Sequence, residues 1–143
     1  MPDEAKRGKL IALEGIDNAG KTSHITHLKS KLEAKGIPCL TTKELTSNIG
    51  RLTLEYLKSE KFSSHLKTIM FAADRQERVE REVEPALNEG QIVLADRWIL
   101  SALTYRAVEG FDTEYVMAVN SLTLQPDFMF LIDIPVEESI RRE

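Results

Sequence analysis

The stretch of residues 15–23 carries the clearest chemistry in this 143-residue sequence. Gly15 and Gly20 are followed by Lys21 and Thr22, which matches the pattern G-x-x-x-x-G-K-Ser/Thr. Glycines at this spacing let backbone N–H groups converge on phosphate oxygens, and a helix that begins here directs its positive end at them. The lysine then supplies charge to the β- and γ-phosphates, and the threonine hydroxyl is a ligand for Mg²⁺. The residues expected to contact nucleotide phosphates are Gly15, Asn18, Ala19, Gly20, Lys21, Thr22 and Ser23.

A second group with chemical potential follows an apolar stretch, residues 91–95, which ends in Asp96 and Arg97. A carboxylate at the end of a buried strand beside a phosphate loop is where Mg²⁺ is held, directly or through water. The alternative is a polar strand end with no ligand, and the upstream motif favours the metal. We therefore predict that Thr22 and Asp96 hold Mg²⁺.

A third candidate lies on a predicted helix, where Phe71 and Arg75 are one turn apart and share a face. An aromatic ring beside an arginine can stack on a base and donate hydrogen bonds to it. The alternative is that Phe71 belongs to the core and Arg75 to a salt-bridged surface. The pattern by itself leaves both interpretations open.

Alternating strand and helix signals position these groups, and they predict an α/β fold. We expect a three-layer sandwich, with a parallel sheet between two layers of helices and phosphates at the carboxyl ends of the strands. Right-handed crossovers should place the Asp96 strand beside the first strand. The predicted strands are residues 9–14, 37–41, 91–95 and 128–134, the last of them buried on both faces.

The predicted helices include two with clear caps and one long charged segment. Ser47 and Asp112 are expected to cap helices, the second of which should run until Pro126. Residues 64–88 carry the longest helical pattern, with a phase shift in the apolar stripe and an interruption expected at Pro85. Most of the charged residues in 74–84 are expected on a solvated face, paired as in Glu77 with Arg81.

The composition disfavours several classes of protein. The net charge of −4 argues against nucleic acid as the main partner, because a phosphate-binding surface is usually basic. No apolar run reaches the length of a membrane span. The single cysteine, Cys39, cannot form an internal disulfide and is expected in the core, which fits a reducing, cytoplasmic location. An Asn-Lys-x-Asp segment for reading guanine is absent from the sequence, which disfavours a GTPase.

Taken together, several separated motifs resemble those of thymidylate kinases, which are P-loop nucleoside monophosphate kinases. The motifs are residues 13–17 with the phosphate loop, residues 71–75 with their spacing to Pro85, and residues 93–97. The similarity extends from about residue 9 to residue 142 with the motifs in the right order. It implies transfer of the γ-phosphoryl group of ATP to dTMP with Mg²⁺, giving dTDP, by a protein that is typically a homodimer.

The resemblance also implies roles for individual residues. Phe71 would stack on thymine, Arg75 would hydrogen-bond its edge, and Tyr105 would crowd the deoxyribose. Asp17 and Asp96 would organise the acceptor and the water shell of the metal. The residues implied in catalysis are Lys21, Asp17, Asp96 and Arg97, and those implied in substrate binding are Asp17, Phe71, Arg75, Arg97, Ser101 and Tyr105.

The sequence departs from the family pattern in four places. Residues 42–46 replace the common Thr-Arg-Glu-Pro-Gly, and Trp98 replaces a tyrosine. Ala102 replaces a polar residue that helps to read the base, so thymine selectivity is open. Asn18 stands where one subgroup has a catalytic arginine, a charge that other members supply from a mobile lid.

That lid should follow the helix that begins at Val136, but the sequence ends at Glu143. We therefore expect residues 1–143 to be a single kinase domain that stops before the lid, a fragment of a longer enzyme. Arg141 and Arg142 are expected on the helix surface. The alternatives are a kinase for another nucleoside monophosphate and a nucleotide-binding protein with little catalysis.

Overall fold

The computed structural model describes residues 6–59 and 62–143, within which four strands form one parallel sheet. The strands are β1 (Leu10–Glu14), β2 (Cys39–Lys43), β3 (Ile92–Asp96) and β4 (Phe128–Leu131), in the spatial order β2-β3-β1-β4. The helices are α1 (Lys21–Ala34), α2 (Asn48–Leu57), α3 (Ser64–Arg78), a π segment (Val79–Val83), α4 (Glu84–Asn88), α5 (Ile99–Val108), α6 (Thr113–Val119) and α7 (Val136–Arg141). The strand with Asp96 lies beside the first strand, as predicted.

Two apolar clusters cover the two faces of the sheet, because alternate side chains of a strand point to opposite faces. Leu10 and Ala12 of β1 belong to the cluster that includes the π segment, α4 and the start of α5. Leu13 of β1 belongs to the other cluster, which includes Ile25 of α1 and the buried Cys39. The predicted three-layer α/β sandwich is therefore confirmed. None of the described helices is long and apolar enough to cross a membrane.

Strand β2 begins two residues later than predicted. Pro38 precedes it and has no N–H to donate to the sheet, although its carbonyl accepts a hydrogen bond of 3.0 Å from Ile92 N. The shift brings Lys43 into the strand, where it pairs in register with Asp96 of β3. Lys43 thus lies at the carboxyl edge of the sheet.

The prediction for β4 was wrong in length and in burial. The strand ends at Leu131, and its residues Phe128–Leu131 are 50–64% exposed. The physical reason is its position at the edge: in the described part of the chain β4 pairs only with β1. Within the described residues, a continuous apolar run therefore forms an outer strand of the sheet.

The long helical pattern is interrupted as predicted, but before Pro85 and not at it. Residues Val79–Val83 form a π segment, after which Glu84–Asn88 continues as an α-helix. A π turn accommodates an extra residue, and Pro85 removes a backbone donor from this region. The segment explains the phase shift in the apolar stripe, because Val79, Val83 and Leu87 all become buried.

The expected solvated face of α3 was wrong for three charged residues. Asp74, Arg75 and Arg78 are fully buried, because they face the loop after β2 and the ring of Trp98 and not solvent. The predicted Glu77–Arg81 ion pair does form, with 3.4 Å between Oε1 and Nε.

Both predicted helix caps are confirmed, but one helix is shorter than expected. Ser47 Oγ accepts a 2.9 Å hydrogen bond from Gly50 N, and Asp112 Oδ1 accepts one from the first turn of α6. Helix α6 ends at Val119 and not near Pro126. The cause is Asn120, whose amide nitrogen donates to the carbonyl of Val116, a local bond that competes with a further helical turn.

Candidate active site

The phosphate-binding loop joins β1 to α1, which is the setting that its motif requires. Gly15 and Gly20 adopt φ angles of 152° and 98°, where a side chain is disfavoured. A Cβ on Gly15 would lie 2.7 Å from the carbonyl oxygen of Ile132, so only glycine fits there. Asn18 has φ of 58°, which asparagine tolerates better than most residues. The loop can therefore bend closely around an anion.

Lys21 opens α1 and is buried, with its ammonium group turned into the loop. Its Nζ donates a 2.6 Å hydrogen bond to the carbonyl of Ile16. Burial lowers the pKa of Lys21 from the ordinary 10.5, the nearby Arg97 lowers it further, and Asp96 and Asp17 oppose the shift. A buried cation at the start of a helix is well suited to bind phosphate.

Thr22 and Asp96 meet at the carboxyl edge of the sheet. The hydroxyl of Thr22 donates to Asp96 Oδ2 over 2.8 Å. Both groups are hard oxygen donors, and Mg²⁺ usually takes one or two such protein oxygens together with water and substrate phosphates. No group of three or more His, Cys, Asp or Glu side chains suited to a metal forms in residues 6–59 and 62–143. The donor set therefore fits a magnesium ion held mainly by nucleotide and water.

Arg97 connects the phosphate loop with the start of α5. Its Nη1 donates a 3.0 Å hydrogen bond to the carbonyl of Gly15, and its Nη2 contacts Asp17 Oδ1. The guanidinium lies 5.4 Å from the ring centroid of Tyr105, whose hydroxyl is 3.4 Å from the same carboxylate oxygen. Arg97 has φ of 68°, a left-handed conformation that is costly for a non-glycine residue. Asp17, Arg97 and Tyr105, predicted separately, thus form one cluster.

Glu14 supports this cluster and was not among the predicted site residues. It is fully buried at the end of β1, and its Oε1 accepts hydrogen bonds from Trp98 N at 2.7 Å and Ser101 N at 3.3 Å. The Ser101 hydroxyl donates to Oε2 and accepts a bond of 3.3 Å from Arg97. Glu14 therefore fixes the N-terminus of α5. A carboxylate in the last position of an apolar strand is the signal that could have found it.

A tight cavity opens between α3, α5 and α6, next to the Arg97 cluster. Phe71 and Arg75 of α3 both line it, as do Ser101 and Tyr105. Its remaining lining residues are Glu44, Thr68, Ala72, Ala102, Arg106, Val116 and Asn120. Of the predicted substrate-binding residues, these four therefore line one cavity, and Asp17 and Arg97 contact Tyr105 beside it. We refer to it as the acceptor cavity.

Arg75 is held rigidly at the wall of the acceptor cavity. Its Nη1 donates to Asn120 Oδ1 over 2.6 Å, and its Nη2 donates to Glu44 Oε1 over 2.9 Å. The buried Nε has no hydrogen-bond partner among the described residues. Burial raises the pKa of the Glu44 carboxyl, although Arg75 and Arg78 oppose that shift. The interpretation of Arg75 as a salt-bridged surface residue is therefore wrong in one part, because the side chain is ion-paired but fully buried, and base recognition by Arg75 stays a prediction.

Asp74, next to Arg75, anchors the loop that carries Glu44. Its Oδ2 accepts from Leu45 N at 3.0 Å and from Arg78 Nε at 3.1 Å. Its Oδ1 accepts from the hydroxyl of Ser47 at 2.7 Å. Leu45 has φ of 65° in the segment that departs from the family pattern. The buried carboxylate therefore holds this unusual loop against α3.

Arg142, directly after α7, is exposed as predicted and also contacts the phosphate loop. Its Nη1 donates to the carbonyl of Asn18 over 3.1 Å, and its Nε donates to Glu138 Oε1 over 2.7 Å. It lines an open cavity with residues of the loop, among them Gly20, Lys21 and Thr22. Arg141 pairs with Glu138 and is exposed, as predicted.

Comparisons with known proteins agree with this geometry. The family model described as thymidylate kinase matches residues 13–143. The chain belongs to the thymidylate kinase family. A probable thymidylate kinase of Pyrococcus horikoshii is 41% identical over 95% of this chain and 70% of its own length. A probable thymidylate kinase of Pyrococcus abyssi is 39% identical with the same coverage. A thymidylate kinase of Desulfotalea psychrophila is 37% identical over 94% of this chain and 68% of its own length.

Family membership makes sense of the two neighbouring sites. A nucleoside monophosphate kinase must hold two nucleotides with their phosphates facing each other. In this structure the phosphate loop and the acceptor cavity lie at the same edge of the sheet, and Arg97 contacts the loop at Gly15 and Tyr105 at the cavity. The resemblance inferred from the sequence is therefore confirmed at the level of family and fold.

Proposed function

We propose that this chain transfers the γ-phosphoryl group of ATP to dTMP, giving ADP and dTDP. The observation that carries the proposal is the position of Arg97, which bonds to the phosphate loop at Gly15 and lies over Tyr105 at the acceptor cavity. One guanidinium can therefore face the phosphates of both nucleotides. Phosphoryl transfer depends on such positioning and on neutralising charge, and it needs no covalent nucleophile.

On the donor side, backbone N–H groups of the loop and the ammonium of Lys21 would bind the ATP phosphates. Lys21 would exchange the Ile16 carbonyl for a phosphate oxygen, which is the better partner for a cation in a partly dry site. Thr22 and Asp96 would hold Mg²⁺, which when bound supplies positive charge to the phosphates. Arg142, beside the carbonyl of Asn18, would add a further cation at the mouth of the loop.

On the acceptor side, Phe71 would stack on the base and Arg75 would donate to its edge through the unpartnered Nε. Tyr105 would lie against the sugar. Burial raises the pKa of the Tyr105 hydroxyl, so it stays protonated at neutral pH. Arg97 would bind the acceptor phosphate and Asp17 would orient Arg97, because the two side chains are already in contact.

The first experiment is steady-state ADP release from ATP and Mg²⁺ with dTMP, dUMP, dCMP, dGMP and UMP offered in parallel. We expect the highest kcat/KM with dTMP. A clear preference for another acceptor would support the second candidate, a kinase for a different nucleoside monophosphate. Ala102, an apolar residue in the cavity wall, is the observation that favours that candidate. Binding of dTMP without turnover would instead favour a nucleotide-binding protein.

We also propose that the chain forms a homodimer and acts in the cytoplasm. Helices α2 and α3 expose several large apolar side chains: Leu52, Leu54, Tyr56, Leu57, Leu66 and Ile69. Such a patch favours association of two copies. The lone, buried Cys39 is in keeping with a reducing compartment. Sedimentation of the purified chain would test the dimer, and a monomer at all concentrations would contradict it.

A further inference from the structure

The polar side chains of the acceptor cavity differ in how many further hydrogen bonds they can form with a ligand. The Thr68 hydroxyl donates to a carbonyl of its own helix at 2.9 Å. Asn120 is engaged at both ends of its amide, since its oxygen accepts from Arg75 and its nitrogen donates to the carbonyl of Val116. Ser101 is engaged by Glu14 and Arg97. These groups shape the cavity, but their own bonds leave them little capacity for a ligand.

Three charged side chains of the cavity retain free capacity. The Nε of Arg75 and the Nη1 of Arg106 are buried without a hydrogen-bond partner among the described residues. Glu44 uses Oε1 for Arg75, and its Oε2 accepts no hydrogen bond in the described part of the chain. Buried polar atoms are rarely left without partners, so the two arginine nitrogens at the cavity indicate a ligand that completes them. The Glu44 side chain is 15% exposed, and its Oε2 can accept a bond from the same ligand. The free capacity amounts to two donors and one acceptor.

Arg106 is the least expected member of this group. It is only 8% exposed, and its guanidinium lies 5.7 Å from the ring centroid of Phe71. Glu109 Oε2 is 2.8 Å from Nη1, but this ion pair lacks the geometry of a hydrogen bond. Ala102 is one turn earlier on α5, so the two residues share a face of the helix. Arg106 therefore brings a donor to the wall that Ala102 leaves apolar.

We propose that Arg106 and Glu44 determine base specificity together with Arg75, by presenting donor, acceptor and donor groups to the acceptor base. The inference rests on the proposed function and specifies its substrate class. The edge of thymine or uracil offers a carbonyl, an N–H and a second carbonyl, which complements this set. Cytosine offers an amino group where thymine has the O4 acceptor, and its ring nitrogen accepts where thymine donates. Two of its three groups would therefore face groups of the same kind.

The test compares wild type, Arg106→Met, Glu44→Gln and Glu109→Gln in steady-state kinetics with dTMP, dUMP and dCMP. Methionine retains an apolar stem against Phe71 but removes the donors. Glu109→Gln is the matched control, because it breaks the ion pair of Arg106 and leaves the guanidinium in the cavity. Thermal unfolding of each variant reports whether the fold is retained.

We expect Arg106→Met to raise KM about 10-fold or more for dTMP and dUMP, with kcat within about twofold of wild type. We place Arg106 opposite the C4 position, where cytosine carries an amino group, so the KM for dCMP should change little and the kcat/KM preference for dTMP over dCMP should narrow. Glu44→Gln should also narrow the preference for dTMP over dCMP, because an amide can donate to the cytosine ring nitrogen. Glu109→Gln should keep the preference of wild type. Equal losses with dTMP and dCMP, or equal effects of Arg106→Met and Glu109→Gln, would overturn the proposal.

Arg106→Lys keeps the inference testable if the methionine variant unfolds. Lysine retains the charge for Glu109 but not the planar fork of donors. We expect it to fold and still lose part of the dTMP preference, and full retention of that preference would contradict base reading by Arg106. If wild type turns over no acceptor, the proposed function fails. In that case the inference is tested by calorimetric titration of dTMP and dCMP into the same variants, with the two affinities replacing the kinetic preference. If wild type binds neither nucleotide, both the proposed function and the inference are overturned.

Discussion

The phosphate loop and the acceptor cavity differ in how their residues are brought together. The loop is one short stretch beside an open cavity, and the groups that we propose to bind the nucleotide are mostly backbone N–H and the side chains of Lys21 and Thr22. The cavity is assembled from the loop after β2, α3, α5 and α6, and its central arginine is fully buried. Arg75 contacts partners that are 31 and 45 residues away in the sequence.

The difference shows what each ligand demands. Phosphates are alike in all nucleotides, so charge and backbone geometry suffice to hold them. A base is distinguished by the direction of its hydrogen bonds, which requires donors and acceptors that are already fixed before it binds. Buried ion pairs such as Arg75–Glu44 provide that rigidity at the cost of desolvation. Changes in the loop should therefore affect turnover, whereas changes around the cavity should affect stability and acceptor choice.

The largest expected effect is on the loop side. Lys21→Ala should lower kcat/KM for ATP-dependent transfer by about 10³-fold, because it removes the cation that we propose to face the transferred phosphoryl group. The fold should remain, as seen by circular dichroism. Lys31→Ala, which changes an exposed lysine of the same helix, should behave as wild type. Turnover by the Lys21 variant near the wild-type level would remove the loop from the mechanism.

On the cavity side, Asp74→Ala should lower the free energy of unfolding by about 3–5 kcal/mol, since it leaves the buried Arg78 without its counter-charge. It also frees the backbone N–H of Leu45. Urea denaturation would measure the loss. Glu80→Ala, on the exposed side of the same long helix, is the control and should change stability by less than about 0.5 kcal/mol. A loss from Asp74→Ala as small as that of the control would show that the loop does not depend on this carboxylate.

Gly50→Ala tests how tightly the same loop is packed against α2. Alanine normally favours a helix over glycine by about 1 kcal/mol. Here its Cβ would lie 2.3 Å from Asp74 Oδ1 and 2.5 Å from backbone atoms of Leu45, so we expect destabilisation by about 1–3 kcal/mol. Differential scanning calorimetry would show whether the substitution lowers or raises the melting temperature. A raised melting temperature would mean that the loop moves aside easily.

Arg75→Ala should weaken dTMP binding by about 1–3 kcal/mol while leaving ATP binding close to wild type. The affinities for dTMP and ATP, both measured by calorimetry, distinguish an effect on the cavity from an effect on the loop. Arg75→Lys would keep a charge for Glu44 and should still lose most of this affinity, because it lacks the guanidinium Nε. Unchanged dTMP affinity in both variants would leave Arg75 with a structural role only.

The smallest effect is a pH dependence of ATP binding. Lys21 has a lowered pKa, so its positive charge is lost at a lower pH than that of an exposed lysine. ATP affinity should therefore decline as pH rises, and the decline should begin at a lower pH than for an exposed lysine with the ordinary pKa of 10.5. Lys21→Arg, which keeps its charge, should show a flat profile over this range. Equal profiles for the two proteins would rule out titration of Lys21.

The two regions also differ in how far the sequence alone could predict them. The phosphate loop and its contact with Asp96 could be predicted, because the motif is contiguous and because parallel strands bring Asp96 to the loop. Phe71 and Arg75 could be found as a pair, but the partners of Arg75 could not. Asn120 follows a helix that ends unexpectedly, and Glu44 lies in a loop whose φ angles no local pattern predicts.

Burial was the hardest property to predict. The charged run on α3 has the composition of a solvated face, yet Asp74, Arg75 and Arg78 are fully buried because they neutralise each other and Glu44 across elements. Conversely, the apolar run of β4 is exposed because it lies at the sheet edge. Both errors have the same origin, since hydropathy describes a residue and burial depends on its neighbours.

The left-handed backbone at Arg97 has a consequence for engineering. At φ of 68° the main chain would be more relaxed with glycine or asparagine, whereas the chemistry calls for a guanidinium. Backbone stability and the proposed chemistry therefore favour different residues at this position. A screen that rewards heat resistance alone should drift toward Arg97→Asn or Arg97→Gly and yield robust but inactive proteins. A screen that rewards turnover should retain arginine and tolerate the lower melting temperature.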